Sequence, residues 1–164
     1  MPDSIAIRDA VPNEAAYLSA LALRSKAHWG YSREFIRECE NELTYQPSQI
    51  EDDNAHFVVA QRGSEIVGFY ALEVVSARQF ELVALFVEPE HIGDGVGRDL
   101  MKHALDNAAA RSGQSILIQG DPNAERFYLA AGATQIGTRE SGSVSGRFLP
   151  LFEVLIRTPD EDVV

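Results

Sequence analysis

The chain has 164 residues, 45% of them hydrophobic and 24% charged, an ordinary balance for a folded domain able to bury a core. A formal net charge of −11 and a pI near 4.7 argue against nucleic-acid binding, which needs clustered Lys and Arg to neutralise phosphates. A lone cysteine, Cys39, excludes an intramolecular disulfide.

Taken in order, Ile5–Arg8 reads as a first strand, and Pro12 opens a helix carrying Ala16, Leu18, Leu21, Ala22 and Leu23 on one stripe up to Lys26. The aromatic stretch His28-Trp29-Gly30-Tyr31 follows, and Ser32 is placed to cap a second helix through Leu43. Pro47 to Asn54 reads as a polar connection. His56–Gln61 and Ile66–Leu72 are β-rich runs around Arg62-Gly63-Ser64-Glu65, a hairpin pattern. Leu82–Val87 is a further apolar strand, stopped by Glu88-Pro89. After Gly97, helical spacing joins Leu100, Met101, Ala104, Leu105 and Ala108, with Gly113 as the stop. Ser115–Gln119 is short and apolar, as a buried parallel strand should be, and completes a βαβ unit. Asp121-Pro122-Asn123 opens a helix with Phe127, Tyr128 and Ala131, closed by Gly132. Thr134–Glu140 and Leu151–Arg157 are the last strands, joined by the Gly- and Ser-rich residues 141–146. Residues 1–158 are expected to form one domain and 159–164 a frayed acidic tail. The start Met1-Pro2-Asp3-Ser4 lacks the basic and apolar regions of a secretory signal, and no apolar run nears the about 20 residues that span a bilayer. The expectation is a cytoplasmic protein without membrane contact.

The stretch with the most chemistry is Glu81 to Lys102. Gly93, Gly95 and Gly97 alternate at a strand-to-helix junction, where backbone N–H groups and the helix dipole favour an anion. The spacing fits neither the G-x-G-x-x-G dinucleotide fingerprint nor the P-loop. A glycine-bearing turn without a ligand is the alternative.

Val87-Glu88-Pro89 followed by Gly93-x-Gly95-x-Gly97-Arg98-x-Leu100-Met101 resembles the acetyl-coenzyme A motif of the GNAT superfamily of N-acetyltransferases. Asn123-Ala124-x-x-Phe127-Tyr128-x-x-x-Gly132-Ala133 resembles the second motif of that family, and the pair is more specific than either alone. The resemblance covers about residues 5 to 157, with its specific motifs confined to the second half. Ile92 departs from the usual Gln or Arg, and Asp94 stands where a basic residue is common; Asp94→Lys is expected to tighten coenzyme A binding.

The resemblance implies an α+β, three-layer fold, with a mixed, mostly antiparallel sheet and one central parallel pair. It implies an acetyl-coenzyme A-dependent N-acetyltransferase, with a small-molecule or peptide amine as acceptor. The cofactor would lie against Leu85, Phe86, Val87, Ile92, Gly93, Asp94, Gly95, Val96, Gly97, Arg98, Asn123, Phe127 and Tyr128. The Leu85 N–H would polarise the acetyl carbonyl, Glu81 or a water would take the amine proton, and Tyr128 would protonate the leaving thiolate. Without a bulge Glu81 shares a strand face with Val83, Leu85 and Val87, but a bulge is common here in the family, so parity leaves its role open against that of a solvated strand-end carboxylate. Phe127 and Tyr128 are alternatively core aromatics.

His28, Trp29 and Tyr31 fall where the family builds its acceptor pocket, although a packed helix junction is the blander reading. Arg147 is either a recogniser of a substrate carboxylate or an exposed arginine. His56, His91 and His103 show no metal-ligand spacing, so no metal is expected. A homodimer through the last strands is plausible. The rival reading is a coenzyme A-binding module without transferase activity.

Overall fold

The computed structural model describes residues 4–156; the end of the last strand expected at Arg157 and the tail expected at 159–164 lie outside the described residues. Seven strands, β1 (Ile5–Asp9), β2 (Ala55–Arg62), β3 (Glu65–Val74), β4 (Gln79–Val87), β5 (Ser115–Gln119), β6 (Thr134–Glu140) and β7 (Phe148–Leu155), form one sheet in the order β1-β2-β3-β4-β5-β7-β6. Neighbours are antiparallel except β4 and β5, which are parallel, as a helical crossover requires. The expected mixed, mostly antiparallel sheet with a central parallel pair is therefore observed.

Helices α1 (Ala15–Ala27), α2 (Arg33–Cys39) and α3 (Pro47–Glu51) pack on one face, and α4 (Val96–Ala110) and α5 (Glu125–Ala130) on the other. The α4 stripe Val96, Leu100, Ala104 and Ala108 is buried at four-residue spacing over β3 and β4. In α1 the buried face is Ala15, Leu18, Leu21, Ala22 and Ser25, whereas Ala16, assigned to it from sequence, is exposed. The one-turn 3-10 helix Pro12–Glu14 that precedes α1 offsets the phase by one position.

Three boundaries differ from expectation. Ser32 does cap α2, accepting the Phe35 N–H at 3.1 Å, but the helix ends at Cys39 and residues through Leu43 continue as turns. The polar connection after Pro47 contains α3, whose start is closed by the Gln46 N–H donating to the Gln49 side chain at 2.6 Å. Strand β7 begins at Phe148, three residues ahead of the expected Leu151, because pairing of Phe148 with Glu140 extends the ladder to the hairpin end.

Two irregularities in β4 position the site. Ala71 pairs with Ala84 but Leu72 with Leu82, so Val83 is an extra residue, a β-bulge. The bulge reverses the strand's faces: Phe80 and Leu82 belong to the α4 core, as do Leu85 and Val87, while Ala84 and Phe86 turn to the α1 core. Glu81, opposite to Phe80 and Leu82, therefore shares its face with Ala84 and Phe86 and not with Leu85 and Val87. The second irregularity is a parting of strands. Parallel pairing runs from Gln79–Ser115 to Glu81–Leu117 and stops, although β4 continues to Val87 and β5 to Gln119. No helix among the described residues is long and apolar enough to cross a membrane.

Candidate active site

Where β4 and β5 part, a cavity of about 440 Å³ opens. Its wall takes Leu82 to Val87 from β4, Gln119, Asp121 and Asn123 from the end of β5, and Phe127 and Tyr128 from α5. Ile92, Gly93, Gly95, Gly97 and Arg98 line it at the glycine loop; Lys26, Trp29, Cys39, Glu42, Ser143 and Arg147 line it from the α1–α2 region and the connection between β6 and β7. The glycine loop and the Asn123-to-Tyr128 segment, separate in sequence, thus meet across one slot.

The backbone of β4 supplies donors to that slot. The Glu88 N–H donates to Val67 O at 2.8 Å on β3, and pairing continues through Phe86 with Phe69 and Leu85 with Tyr70. Successive N–H groups of a strand point to opposite edges, so Phe86 shares the β3 edge with Glu88. Leu85 and Val87 then direct their N–H groups toward the edge that β5 has left.

At the loop, Gly93 and Gly95 take φ of +94° and +88°, conformations that side chains rarely adopt. Gly95 precedes α4, and the Asp99 N–H is the first to find a helical acceptor, Gly95 O at 3.0 Å. The N–H groups of Val96, Gly97 and Arg98 lie ahead of that bond, at the positive end of a 15-residue helix. A Cβ on Gly97 would come within 3.3 Å of Phe127 Cε1 and 3.6 Å of Val87 Cγ2, so the missing side chain keeps the slot open between them. Arg98, lining the same end, folds its guanidinium back over Gly95.

Asp94 does not line the cavity. Its carboxylate turns to the β2–β3 hairpin, 3.6 Å from Arg62 Nη1 and 3.5 Å from His91 Nδ1. Arg62 Nη1 donates to His91 Nδ1 at 3.1 Å, tying hairpin and loop together. An anion at the glycine loop would meet the Asp94 charge from a greater distance and beside its cationic neighbour Arg62. Glu65, Glu90 and His91 offer ligand atoms within 4.8 Å of one another, but the guanidinium of Arg62 already faces that imidazole.

Tyr128 is 7% exposed, packed edge-on to Phe127 and beside Phe152. Burial, then the nearby Asp121 charge, pushes its phenol well above the usual tyrosine range, so the proton stays on oxygen. Among the described residues no group hydrogen-bonds that hydroxyl.

Glu81 is absent from the cavity wall. The bulge places it on the α1 face, where Arg139 of β6 grips both carboxylate oxygens at 2.6 and 3.3 Å. Its cross-strand neighbour is Glu73, whose carboxyl is raised by burial and then by the Glu81 charge. Arg139 thus answers a pair of facing carboxylates.

The acceptor-side aromatics divide. Trp29 lines the cavity, 43% exposed, whereas His28 is outside and meets Trp29 edge-on. Tyr31 lies just behind the wall. It donates to Asp121 Oδ2 at 2.8 Å and accepts from Asn123 Nδ2 at 3.0 Å and Arg147 Nη2 at 3.1 Å.

Asp121, the centre of that network, shows itself in the sequence only as a helix opener, which it also is, accepting the Asn123 N–H at 2.9 Å. Lys26 meets it at 2.6 Å. Burial alone would raise the Asp121 carboxyl, but the hydrogen bonds from Lys26, Asn123 and Tyr31 outweigh it and hold the group below the usual carboxylate range. No spacing rule joins residues 26 and 121; the contact exists only because the end of α1 and the end of β5 flank one opening.

The acetyltransferase (GNAT) domain family matches residues 13–143. A mycothiol acetyltransferase from Streptomyces bingchenggensis strain BCW-1 is 32% identical over 114 residues, covering 68% of this chain and 36% of that protein. The chain therefore spans about a third of that relative's length. Among solved structures, the PaiA N-acetyltransferase of Thermoplasma acidophilum in complex with coenzyme A superposes with a TM-score of 0.79 at 21% identity, over 93% of this chain and 99% of that one. The ribosomal-protein-S18-alanine N-acetyltransferase of Escherichia coli gives 0.72 at 14% identity, over 98% and 99%. With the parted β4 and β5 strands and the glycine-led helix, these matches place the chain in the GNAT acetyltransferase domain family.

Proposed function

We propose that this chain transfers an acetyl group from acetyl-coenzyme A to a primary amine by direct attack in a ternary complex. The observation that carries the reading is the gap between β4 and β5, with Leu85 and Val87 N–H groups directed into it and free helix N–H groups at its end. Such a gap suits an extended arm that pairs like an added strand and ends in phosphates. The glycines fit this ligand, since a Cβ at Gly97 would fill the slot.

The bound thioester supplies an activated acetyl carbon. The Leu85 N–H meets the carbonyl oxygen as charge develops on it, and Val87 pairs with the arm further along. The Val96, Gly97 and Arg98 amides, with the Arg98 guanidinium, hold the pyrophosphate. The acceptor nitrogen forms the amide bond as the C–S bond breaks. Tyr128, kept protonated by burial, presents its hydroxyl to the departing sulfur. The amine proton leaves through water, because Glu81 is held by Arg139 away from the cavity and Asp121 is saturated by Lys26, Tyr31 and Asn123.

Thiol release from acetyl-coenzyme A with an amine panel is the test, comparing wild type with Tyr128→Phe. Loss of the hydroxyl is expected to lower kcat by about 10²–10³, within the span of a positioned general acid. Equal turnover by both proteins removes Tyr128 from the mechanism. Tight coenzyme A binding with no thiol released by any amine supports instead the silent binding module, which the sequestration of Glu81 favours.

A further inference from the structure

Most cations around the site of this acidic chain are neutralised. Arg24 pairs with Glu88, Lys26 with Asp121, Arg62 with Asp94 and Arg139 with Glu81. Two arginines of the cavity wall have no carboxylate within ion-pair distance among the described residues: Arg98 at the glycine loop and Arg147 in the connection between β6 and β7. The first suits the cofactor's phosphates. The second has no such explanation.

Arg147 is built in. Its guanidinium carbon lies 4.7 Å from the Phe35 ring centre and 5.4 Å from that of Tyr31, and these two rings stack at 4.2 Å. One N–H goes to the Tyr31 hydroxyl at 3.1 Å; a guanidinium has five, so most of its donors remain for a ligand. The neighbouring anions do not pair with it: Asp121 is occupied by Lys26, Tyr31 and Asn123, and Glu42, which accepts from the Ser143 hydroxyl, lies beyond ion-pair distance of Arg147. A planar cation, held beside the stacked Tyr31 and Phe35 rings and lining a cavity with most of its donors uncommitted, is matched by a carboxylate. A purely cationic polyamine would bring its second charge toward the unpaired Arg147.

We propose that Arg147 is the specificity residue for an acceptor carboxylate: the amine acetylated here belongs to an amino acid or short peptide that carries a carboxylate as well. This rests on the transferase reading. Matched acceptors test it, L-lysine against cadaverine and L-phenylalanine against phenethylamine, each with acetyl-coenzyme A. The carboxylate-bearing member is expected to have the higher kcat/KM by about 10–100-fold, the value of a charge-assisted bond in this arithmetic. Arg147→Gln abolishes that preference by raising the acceptor KM while the acetyl-coenzyme A KM stays put, and Arg147→Lys restores part of it. A variant that melts as wild type does but keeps the full preference overturns the inference, as does equal use of the decarboxylated amines by wild type. Should no acceptor release thiol, the transferase reading falls, and calorimetry of L-lysine and L-phenylalanine into coenzyme A-loaded protein decides the inference: heat lost in Arg147→Gln supports it, and no heat from wild type with either overturns it.

Discussion

Gly97→Ala separates a ligand slot from a plain turn. Gly97 is not among the glycines with positive φ, so alanine meets no backbone strain there, and helix propensity favours it by up to about 1 kcal/mol. Against this, the new Cβ sits 3.3 and 3.5 Å from the Phe127 ring edge and 3.6 Å from Val87 Cγ2, contacts that a small ring shift relieves. The two effects offset, and stability should stay within about 1 kcal/mol of wild type, or about 2–4 °C in Tm. Ligand binding has no such compensation. A methyl between Phe127 and Val87 displaces a phosphate resting on the first turn past about 3.5 Å, where its hydrogen bond is lost. One charge-assisted bond of about 1.5–3 kcal/mol corresponds to roughly 10–100-fold in Kd. Calorimetric titration of coenzyme A into both proteins, with thermal melts alongside, measures each part. An unchanged Kd with an unchanged Tm would refute the slot.

Glu81→Gln should leave kcat within about twofold, because the carboxylate lies off the cavity and its Arg139 partner is 38% exposed, an ion pair of roughly 1 kcal/mol or less. The pH profile of kcat/KM should then follow the acceptor amine alone, and a loss of about a hundredfold or more would return Glu81 to the role of base. Arg62→Ala releases Asp94 and His91 from the hairpin, and the KM for acetyl-coenzyme A should rise several-fold at unchanged kcat; a parallel fall in kcat and Tm would make Arg62 merely structural. Asp121→Asn should cost roughly 2 kcal/mol, below the range for fully buried pairs because both side chains are 14% exposed. The Asp121 carboxyl is lowered by folding, so its stabilisation is present above the unfolded value near about 4 and is lost as pH falls through the folded one. The gap between the urea melts of the two proteins should therefore stay constant above about pH 4 and narrow only below it, and a gap that already closes near about pH 6 would count against the linkage.

What the sequence carried well was local chemistry with a fixed span. Alternating glycines at a strand-to-helix junction, the α4 stripe and the apolar β5 run each follow from a backbone rule within about twenty residues. The expected mixed sheet with one parallel βαβ pair, covered by helices, follows from joining such units, and the structure has it. Long-range polar contacts were not legible in the same way. Arg139 reaches Glu81 across β5 and β7, and Lys26 reaches Asp121 from the end of α1, and neither residue type nor spacing announces either pair. Asp121 was visible as a cap, which hid its second task.

The bulge at Val83 links these two levels. With strict alternation, Glu81 and the Leu85 side chain would share a face, and a base beside the thioester would look natural. One inserted residue turns Glu81 to the α1 side, within reach of Arg139, and still lets Leu85 and Val87 pack their side chains on the α4 core. Those side chains anchor the strand from below, while their N–H groups face the gap that β5 leaves. The same insertion that turns the Glu81 carboxylate away from the cavity therefore holds the Leu85 and Val87 backbone donors toward it. In the proposed reaction the catalytic burden would fall on positioned amides and a buried phenol, so the nucleophile's own ionisation should govern how the rate depends on pH.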